Sequence, residues 1–229
     1  MRRNATELDL DKELLEKHFR IAVFGSARIK PGDKIYKQVY ELSKEIALKN
    51  YDLVTGGGPG IMEAANAGHD EGDISGKAES IGLRIELPFE QDVNDFVEIR
   101  SSFERFAERL ETFVKLSDIF VVCPGGIGTL LELSYCWQLV QVKKISYKPI
   151  ILVGEMWERL IYWVIDFALK DGLISSADFD YIYIAKNNQE AMDLIDEFKK
   201  QQDEKGVMTP IKRNKMPHNG EGMGGSEKK

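Results

Sequence analysis

The sequence contains little cysteine and little histidine, and this scarcity excludes two kinds of protein. Two cysteines in 229 residues cannot build a disulfide scaffold. No CxxC pair or Cys/His spacing typical of zinc is present. The three histidines are scattered at positions 18, 69 and 218, so we expect no metal site. The 43% of hydrophobic residues instead predict a fold around an apolar core.

Long hydrophobic runs and excess positive charge are also missing. No run approaches the roughly 20 apolar residues of a membrane-spanning helix, and residues 1–17 contain no signal-peptide core. Lys and Arg number 31 against 38 acidic residues, a net charge of −7 that does not favour nucleic-acid binding. The part from residue 199 onward carries +4 and the rest −11. We therefore expect a cytoplasmic protein that binds neither nucleic acid nor a membrane.

Short apolar runs alternate with helical patterns along most of the chain. The runs are nearly continuous, which is typical of strands buried on both faces, and they lie at 19–25, 51–60, 80–88, 118–126, 148–154 and 181–185. Helical spacing is found at 33–50, 61–72, 102–117, 129–144, 157–172 and 188–200. This alternation predicts an α/β fold, a Rossmann-like doubly wound parallel sheet with helices on both faces.

The two ends of the chain differ from this central pattern. Residues 1–18 are charged and have helical spacing, so they predict an N-terminal helical extension. Residues 19–200 form the predicted Rossmann-like domain. Residues 201–229 contain almost no large apolar residues and predict a disordered tail.

Three of the predicted strands end in glycine-containing turns, FGSAR (24–28), TGGGPGIME (55–63) and PGGIGTLLE (124–132). Ligands of such sheets bind at the carboxyl ends of the strands. Glycine lets the backbone approach a ligand, and the free N–H groups at a helix start attract an anion. One such turn is equally a tight connection, whereas three favour an anionic ligand. The absence of GxxxxGK[ST] excludes a P-loop nucleoside triphosphatase.

PGGIGTLLE matches the PGGxGTxxE motif of the LOG ("lonely guy") family, long mislabelled as lysine decarboxylases. TGGGPGIMEAAN and VFGSAR match earlier elements of that family, so the chain resembles it over about residues 20–200. The resemblance implies a homodimer that hydrolyses the N-glycosidic bond of nucleoside 5′-monophosphates. The substrate would be AMP or a cytokinin riboside 5′-monophosphate, and the products a free base and ribose 5-phosphate. It implies no cofactor and no metal, and no lysine lies in a motif for pyridoxal phosphate.

The resemblance also assigns the site. Glu132 ends the motif and Arg109 lies fifteen residues before its proline, and these two are the catalytic residues that it implies. Leu110 and Leu131 stand where plant-type members have Lys and Glu, which bears on substrate preference. Phosphate or substrate binding is expected at the glycines and threonine of the motif and at the two earlier turns: Gly125, Gly126, Gly128, Thr129, Ser26, Gly57, Gly58 and Met62.

The chemistry of N-riboside cleavage fits these residue types. The sugar becomes cationic in the transition state, as in glycoside hydrolysis. Thr129 and Glu132 are three residues apart on one helix face, so a phosphate at the helix start brings the ribose near Glu132. Glu132 would stabilise the sugar and position or deprotonate water. Arg109 is always charged, so we favour orientation and electrostatics over proton donation for it.

Other interpretations of the same residues remain open at this point. Glu132 is also typical of a solvated first-turn glutamate, and Arg109 of one charge on a mixed face. Glu90 and Gln91 are weaker candidates for ribose contacts, and Asn66 is simply explained as polar surface. Two other functions compete with hydrolysis: a non-catalytic nucleotide-binding or molybdenum-cofactor-carrier-like module, and a DNA-handling protein. The Arg–Glu pair argues against the first and the net charge against the second.

Overall fold

The computed structural model describes residues 5–88 and 93–212, and these contain one eight-stranded sheet. Its strands are β1 Thr6–Glu7, β2 Arg20–Phe24, β3 Asp52–Thr55, β4 Ser80–Ile85, β5 Ile99–Phe103, β6 Ile119–Val122, β7 Ile150–Val153 and β8 Ile182–Ala185. The α-helices are α1 Leu10–Leu15, α2 Lys34–Leu48, α3 Ile61–Gly72, α4 Phe106–Leu116, α5 Ile127–Gln141, α6 Glu155–Trp163 and α7 Asn188–Lys205. A π-helical stretch, Val164–Leu169, follows α6. Within these residues no helix is both long enough and apolar enough to cross a membrane.

The sheet has the order β1-β5-β4-β3-β2-β6-β7-β8, and every neighbouring pair is parallel. The chain moves outward from β2 through β3, β4 and β5, then returns to pair β6 with the other side of β2. The topological switch point therefore lies between β2 and β6, where ligands of doubly wound sheets bind. This topology confirms the predicted Rossmann-like α/β fold.

Apolar side chains on both faces of the sheet explain why the strands are continuous apolar runs. In β2, Ile21 and Val23 face one buried cluster, whereas Ala22 and Phe24 face the other. Helices α2, α3 and α7 cover the first face, and α4, α5 and α6 cover the second. Because successive side chains of a strand point to opposite faces, a central strand covered twice needs apolar residues at every position.

The amino-terminal region and the start of α4 differ from the predictions. The predicted extension contains a strand, β1, as well as the short helix α1, and β1 pairs with β5. A buried ion pair between Arg20 and Glu13 (2.6 Å) holds α1 against the domain. The helix predicted at 102–117 begins later, at Phe106, because Ile99–Phe103 is β5. Because β5 is half-exposed and contains Arg and Ser, it is not a continuous apolar run, and the sequence did not predict it as a strand.

The predicted disordered tail is wrong for residues 201–212. Helix α7 continues to Lys205 and ends at Gly206, whose φ of 70° is left-handed. Beyond it, Met208 and Ile211 are 6% and 8% exposed and join the cluster beneath α2 and α7. The Ile211 N–H also donates to the Tyr183 hydroxyl at 3.1 Å. Apolar contacts and hydrogen bonds therefore attach this segment to the domain, while residues 213–229 lie outside the described part.

Candidate active site

The three glycine turns come together at the switch point. The Ser26 N–H, after β2, donates to the Pro124 carbonyl after β6 at 3.1 Å. The Ile61 N–H, at the start of α3, donates to the Ser26 carbonyl at 2.9 Å. A Cβ atom at Gly60, which has φ of 73°, would overlap that carbonyl oxygen. The backbone of Ser26 thus joins the second and third turns, and the glycine at position 60 makes this approach possible.

A cleft of about 120 Å³ opens beside the second turn. Gly56, Gly57 and Gly58 form one wall, and Met62, Arg84 and Arg109 contribute to the others. Four residues predicted for the site are therefore close together: Gly57, Gly58, Met62 and Arg109. The cleft lies at the carboxyl ends of β3 and β4, where a doubly wound fold binds its ligand.

Arg109 is held in this cleft by three separate contacts. Its Nε donates to the Leu83 carbonyl at 2.6 Å, and its Nη1 donates to Glu132 Oε1 at 3.1 Å. The guanidinium also lies 4.9 Å above the ring of Phe113, one turn further along α4. Since the residue is only 6% exposed, its charge is fixed in position rather than free in solvent.

Gly56 allows the guanidinium to approach the glycine loop. A Cβ atom at this position would lie 2.6 Å from Met62 Sδ and still closer to Arg109 Nη2. Any larger residue would therefore displace one of these two side chains. Sequence reasoning selected Gly57 and Gly58 but missed Gly56, because the approach of Arg109 becomes visible only when α4 is packed on the sheet.

Glu132 lies on α5, and its side chain is 12% exposed. Burial raises the pKa of Glu132 above its ordinary value, and the Arg109 guanidinium offsets part of this rise. The structure therefore brings together the two residues that the motif spacing selected. A carboxylate held against an arginine can stabilise a developing positive charge or orient a water molecule.

The amino end of α5 presents backbone N–H groups that no side chain caps. Its N-cap is Gly126, and no side-chain hydrogen bond closes the first turn. Gly126 and Gly128 are exposed, and Thr129 is buried against Gly125. The Thr129 hydroxyl therefore does not cap the helix. The free N–H groups lie about one turn from Glu132 and suit an anion.

A buried network of polar side chains beneath the second turn was missed by sequence reasoning. Asn66, predicted as polar surface, is fully buried. It accepts from the Thr55 hydroxyl at 2.8 Å and donates to Ser80 Oγ at 2.7 Å. The Asn94 amide donates to Asn66 Oδ1 at 3.0 Å. The small residues around Asn66 in MEAANAG, which mark a closely packed helix face, were the available signal.

The remaining candidate residues are in the first turn and after β4, and those that the structure describes do not line the cleft. The hydroxyl of Ser26 accepts from the Arg28 N–H at 3.1 Å, a local turn contact. Arg28 is exposed. Glu90 and Gln91, proposed for the ribose hydroxyls, lie outside the described residues. The first turn therefore contributes mainly its backbone to the site.

The cysteines, the tryptophans and a histidine-containing cluster are not among the residues that line the cleft. Cys123 and Cys136 are buried free thiols, and burial raises the pKa of Cys123 to about 12. Trp157 is fully buried, whereas Trp163 is 58% exposed. In the described part of the chain, the group with metal-ligating spacing consists of Glu16, His18 and Glu79. His18 lies just before β2, at the amino ends of the strands, whereas the cleft lies at their carboxyl ends. This group therefore does not belong to the site.

The fold and the site define a Rossmann-like protein whose switch point combines glycine turns with an arginine–glutamate pair. A family model described as "Possible lysine decarboxylase" matches residues 62–195, more than half of the chain. The chain belongs to this family, the LOG family.

Curated relatives give the reaction named for proteins of this family. The chain is 30% identical over 193 residues to a cytokinin riboside 5′-monophosphate phosphoribohydrolase of Arabidopsis thaliana, covering 81% of this chain and 86% of that protein. It is 30% identical over 189 residues to a probable enzyme of the same name from Oryza sativa subsp. japonica, covering 80% and 74%. A pyrimidine/purine nucleotide 5′-monophosphate nucleosidase of Escherichia coli is 27% identical over 64% of this chain and 33% of its own length.

Among solved structures, the molybdenum cofactor binding protein from Rippkaea orientalis is similar, with a TM-score of 0.60 and 24% identity. The match covers 79% of this chain and 97% of that protein. At this identity the similarity supports the fold alone.

Proposed function

We propose that this protein hydrolyses the N-glycosidic bond of nucleoside 5′-monophosphates, AMP or a cytokinin riboside 5′-monophosphate. The products are the free base and ribose 5-phosphate. The observation that carries the proposal is the Arg109–Glu132 pair, 3.1 Å apart and largely buried beside a glycine-lined cleft. The names of the plant and bacterial relatives, which describe this class of reaction, support it.

The nucleotide would extend from the cleft to the amino end of α5. Ligand pockets usually measure about 300–1,000 Å³, so a cleft of about 120 Å³ accommodates only part of a nucleotide. We assign the phosphate to the free N–H groups between Gly125 and Thr129, because a helix start attracts an anion. The base then lies in the cleft against Met62, with Gly57 and Gly58 behind it. The ribose between them is placed beside Glu132.

Glu132 and Arg109 have distinct roles in the proposed reaction. As the bond between the base nitrogen and C1′ breaks, its electron pair goes to the base and positive charge develops on the ribose. The Glu132 carboxylate stabilises that charge and takes a proton from the water that adds its oxygen to C1′. The proton then passes to the departing base. Arg109 orients the carboxylate and favours its ionised form in a buried site.

A panel of nucleotides tests this function. AMP, GMP, CMP, UMP, isopentenyl-AMP and adenosine are incubated with the protein, and free base is measured by chromatography. We expect base release from at least one nucleotide and much less from adenosine, which lacks the phosphate. Glu132→Gln should lower the rate at least 10²-fold, whereas Glu111→Gln, at an exposed glutamate of α4, should not.

Two outcomes of that experiment would contradict the proposal. No base from any nucleotide would reject the hydrolase, and tight nucleotide binding without release would favour a binding module. Full activity of Glu132→Gln would reject the role assigned to that residue.

We also propose that the protein is a cytoplasmic homodimer. Its buried free cysteines suit a reducing compartment. Trp163 and Phe167, 58% and 57% exposed with ring centroids 5.8 Å apart, form an apolar surface on α6 and the π-helical stretch. Such a surface is typical of a contact between chains. Sedimentation velocity should show a dimer that the double substitution Trp163→Glu/Phe167→Glu dissociates; an unchanged sedimentation coefficient would reject this contact.

A further inference from the structure

A chain of hydrogen-bonded polar side chains supports the glycine loop from below, and the mechanism proposed above does not use it. Asn66 is its centre: the side chain is fully buried, accepts from Thr55 and Asn94, and donates to Ser80. Burying an amide is unfavourable unless its groups find partners. A network in which each amide group is paired therefore specifies one arrangement of the segments that it joins.

Asn94 connects this network to the loop itself. Its Nδ2 lies 3.0 Å from the carbonyl oxygens of Gly57 and Gly58 and from Asn66 Oδ1, so its two hydrogens are shared among three acceptors. The Asn94 backbone N–H donates to the Gly57 carbonyl at 2.8 Å. On the other side, the Gly57 N–H donates to Thr55 Oγ1 at 3.0 Å. The loop is thus held from both sides by side chains that contact neither Arg109 nor Glu132.

The position of this loop determines the space for Arg109. Gly56 immediately precedes the tethered residues, and the guanidinium packs where a Cβ of residue 56 would be. We propose that Asn66 and Asn94 are positioning residues that hold the glycine loop against Arg109 and so keep Arg109 on Glu132. The catalytic consequence rests on the function proposed above, whereas the effect on the Arg109–Glu132 pair does not.

Two substitutions of Asn94 separate the tether from a local effect. Asn94 Oδ1 accepts from the Phe96 N–H at 3.2 Å, a contact within its own turn. Asn94→Asp keeps that acceptor and replaces the donating amide by an oxygen that faces two carbonyls. Asn94→Ala removes both groups at a half-buried position. Asn188→Ala is the matched control. The Asn188 amide, at the start of α7, donates to the Gln38 carbonyl of α2 at 2.8 Å, and neither residue lines the cleft.

The variants are compared by steady-state kinetics and by carbon-13 NMR titration of the Glu132 carboxyl in the ligand-free protein. We expect both Asn94 variants to lower kcat about 10- to 100-fold, the effect of a misplacement near 1 Å, and to raise KM as well, because Gly57 and Gly58 line the place proposed for the base. The pKa of Glu132 should rise in both, because Arg109 is no longer held against it. Asn188→Ala should change neither quantity.

The possible outcomes distinguish this inference from the proposed function. Wild-type kcat and an unchanged Glu132 pKa in folded Asn94→Asp would overturn the positioning role while the hydrolase stands. A change in KM alone would also overturn it, since the loop would then serve binding only. If the wild-type protein releases no base, the NMR titration still decides the positioning role. If Asn94→Asp does not fold, Asn94→Ala gives the same two readouts.

Discussion

Replacing Gly56 by alanine tests how closely Arg109 must approach the glycine loop. The added methyl carbon would lie 2.6 Å from Met62 Sδ and closer still to Arg109 Nη2. Non-bonded heavy atoms prefer separations of about 3.5 Å or more, so the guanidinium must retreat by about 1 Å. Gly56 is not among the glycines with positive φ, and the substitution therefore adds no backbone strain.

A retreat of this size breaks one of the two hydrogen bonds of Arg109. The bond to Glu132 is 3.1 Å long and the bond to the Leu83 carbonyl 2.6 Å, and a separation beyond about 3.5 Å no longer counts as bonded. A misplacement near 1 Å lowers a rate by about 10²-fold, or about 2.7 kcal/mol of transition-state stabilisation. Because a buried side chain loses a hydrogen bond and the site is slightly overpacked, the free energy of unfolding should fall by about 1–3 kcal/mol.

The assay measures kcat for base release in Gly56→Ala, in Arg109→Met and in the double variant, together with urea unfolding of each. We expect Gly56→Ala to lose about 10²-fold alone and nothing further when Arg109 is already absent, because both changes act through one group. A folded Gly56→Ala protein with wild-type kcat would refute the reasoning. Additive losses in the double variant would show that Gly56 acts through something other than Arg109.

Three further predictions concern titration and stability. The kcat for base release should fall as the pH drops through the raised pKa of Glu132, because only the ionised carboxylate stabilises the sugar. Arg109→Met should shift this acidic fall in kcat to higher pH, because the arginine lowers the pKa of Glu132. An unshifted pH profile in Arg109→Met would contradict the pairing of the two residues. Glu13→Gln removes the closer of two acidic partners of the buried Arg20 and leaves Asp52 at 3.4 Å, so it should lower the free energy of unfolding in urea by about 1–3 kcal/mol. No measurable loss would place α1 outside the cooperative fold. Burial lowers the pKa of His69, so the unfolded chain takes up a proton at a higher pH than the folded protein does. The free energy of unfolding should therefore fall as the pH drops below about 6.5. His69→Gln should remove this part of the pH dependence of stability, and an identical pH dependence in the variant would assign it to another group.

The part of the fold that sequence reasoning predicted is the part buried on both faces. Strand β2 is apolar at every position after Arg20, and β6 and β7 are apolar throughout, because helices cover both faces. The half-exposed β5 has serines at its centre; its last two residues were assigned to a helix and its first three to no element. Residues 201–212 were called disordered because few apolar residues are present. These residues are ordered because Met208 and Ile211 pack against segments that are distant in sequence, and local composition does not predict such a contact.

The candidate site divides in the same way. The family resemblance assigned Arg109 and Glu132 to one site, and the two side chains are hydrogen-bonded to each other. It did not predict the bond of Arg109 to the Leu83 carbonyl or its packing on Gly56, since these arise when α4 docks on β3 and β4. Asn66 was predicted to lie on the surface because its partners, Thr55, Ser80 and Asn94, come from three other segments of the chain. Local sequence patterns indicate which residues could act in catalysis, whereas the contacts that position them arise only from tertiary packing.

A crystal structure of the Glu132→Gln variant with AMP tests the central claim most directly. The account predicts the phosphate on the backbone N–H groups between Gly125 and Thr129, the base in the cleft against Met62, and C1′ about 3.5 Å from the side chain at position 132. A phosphate bound elsewhere, with C1′ out of reach of position 132, would contradict it.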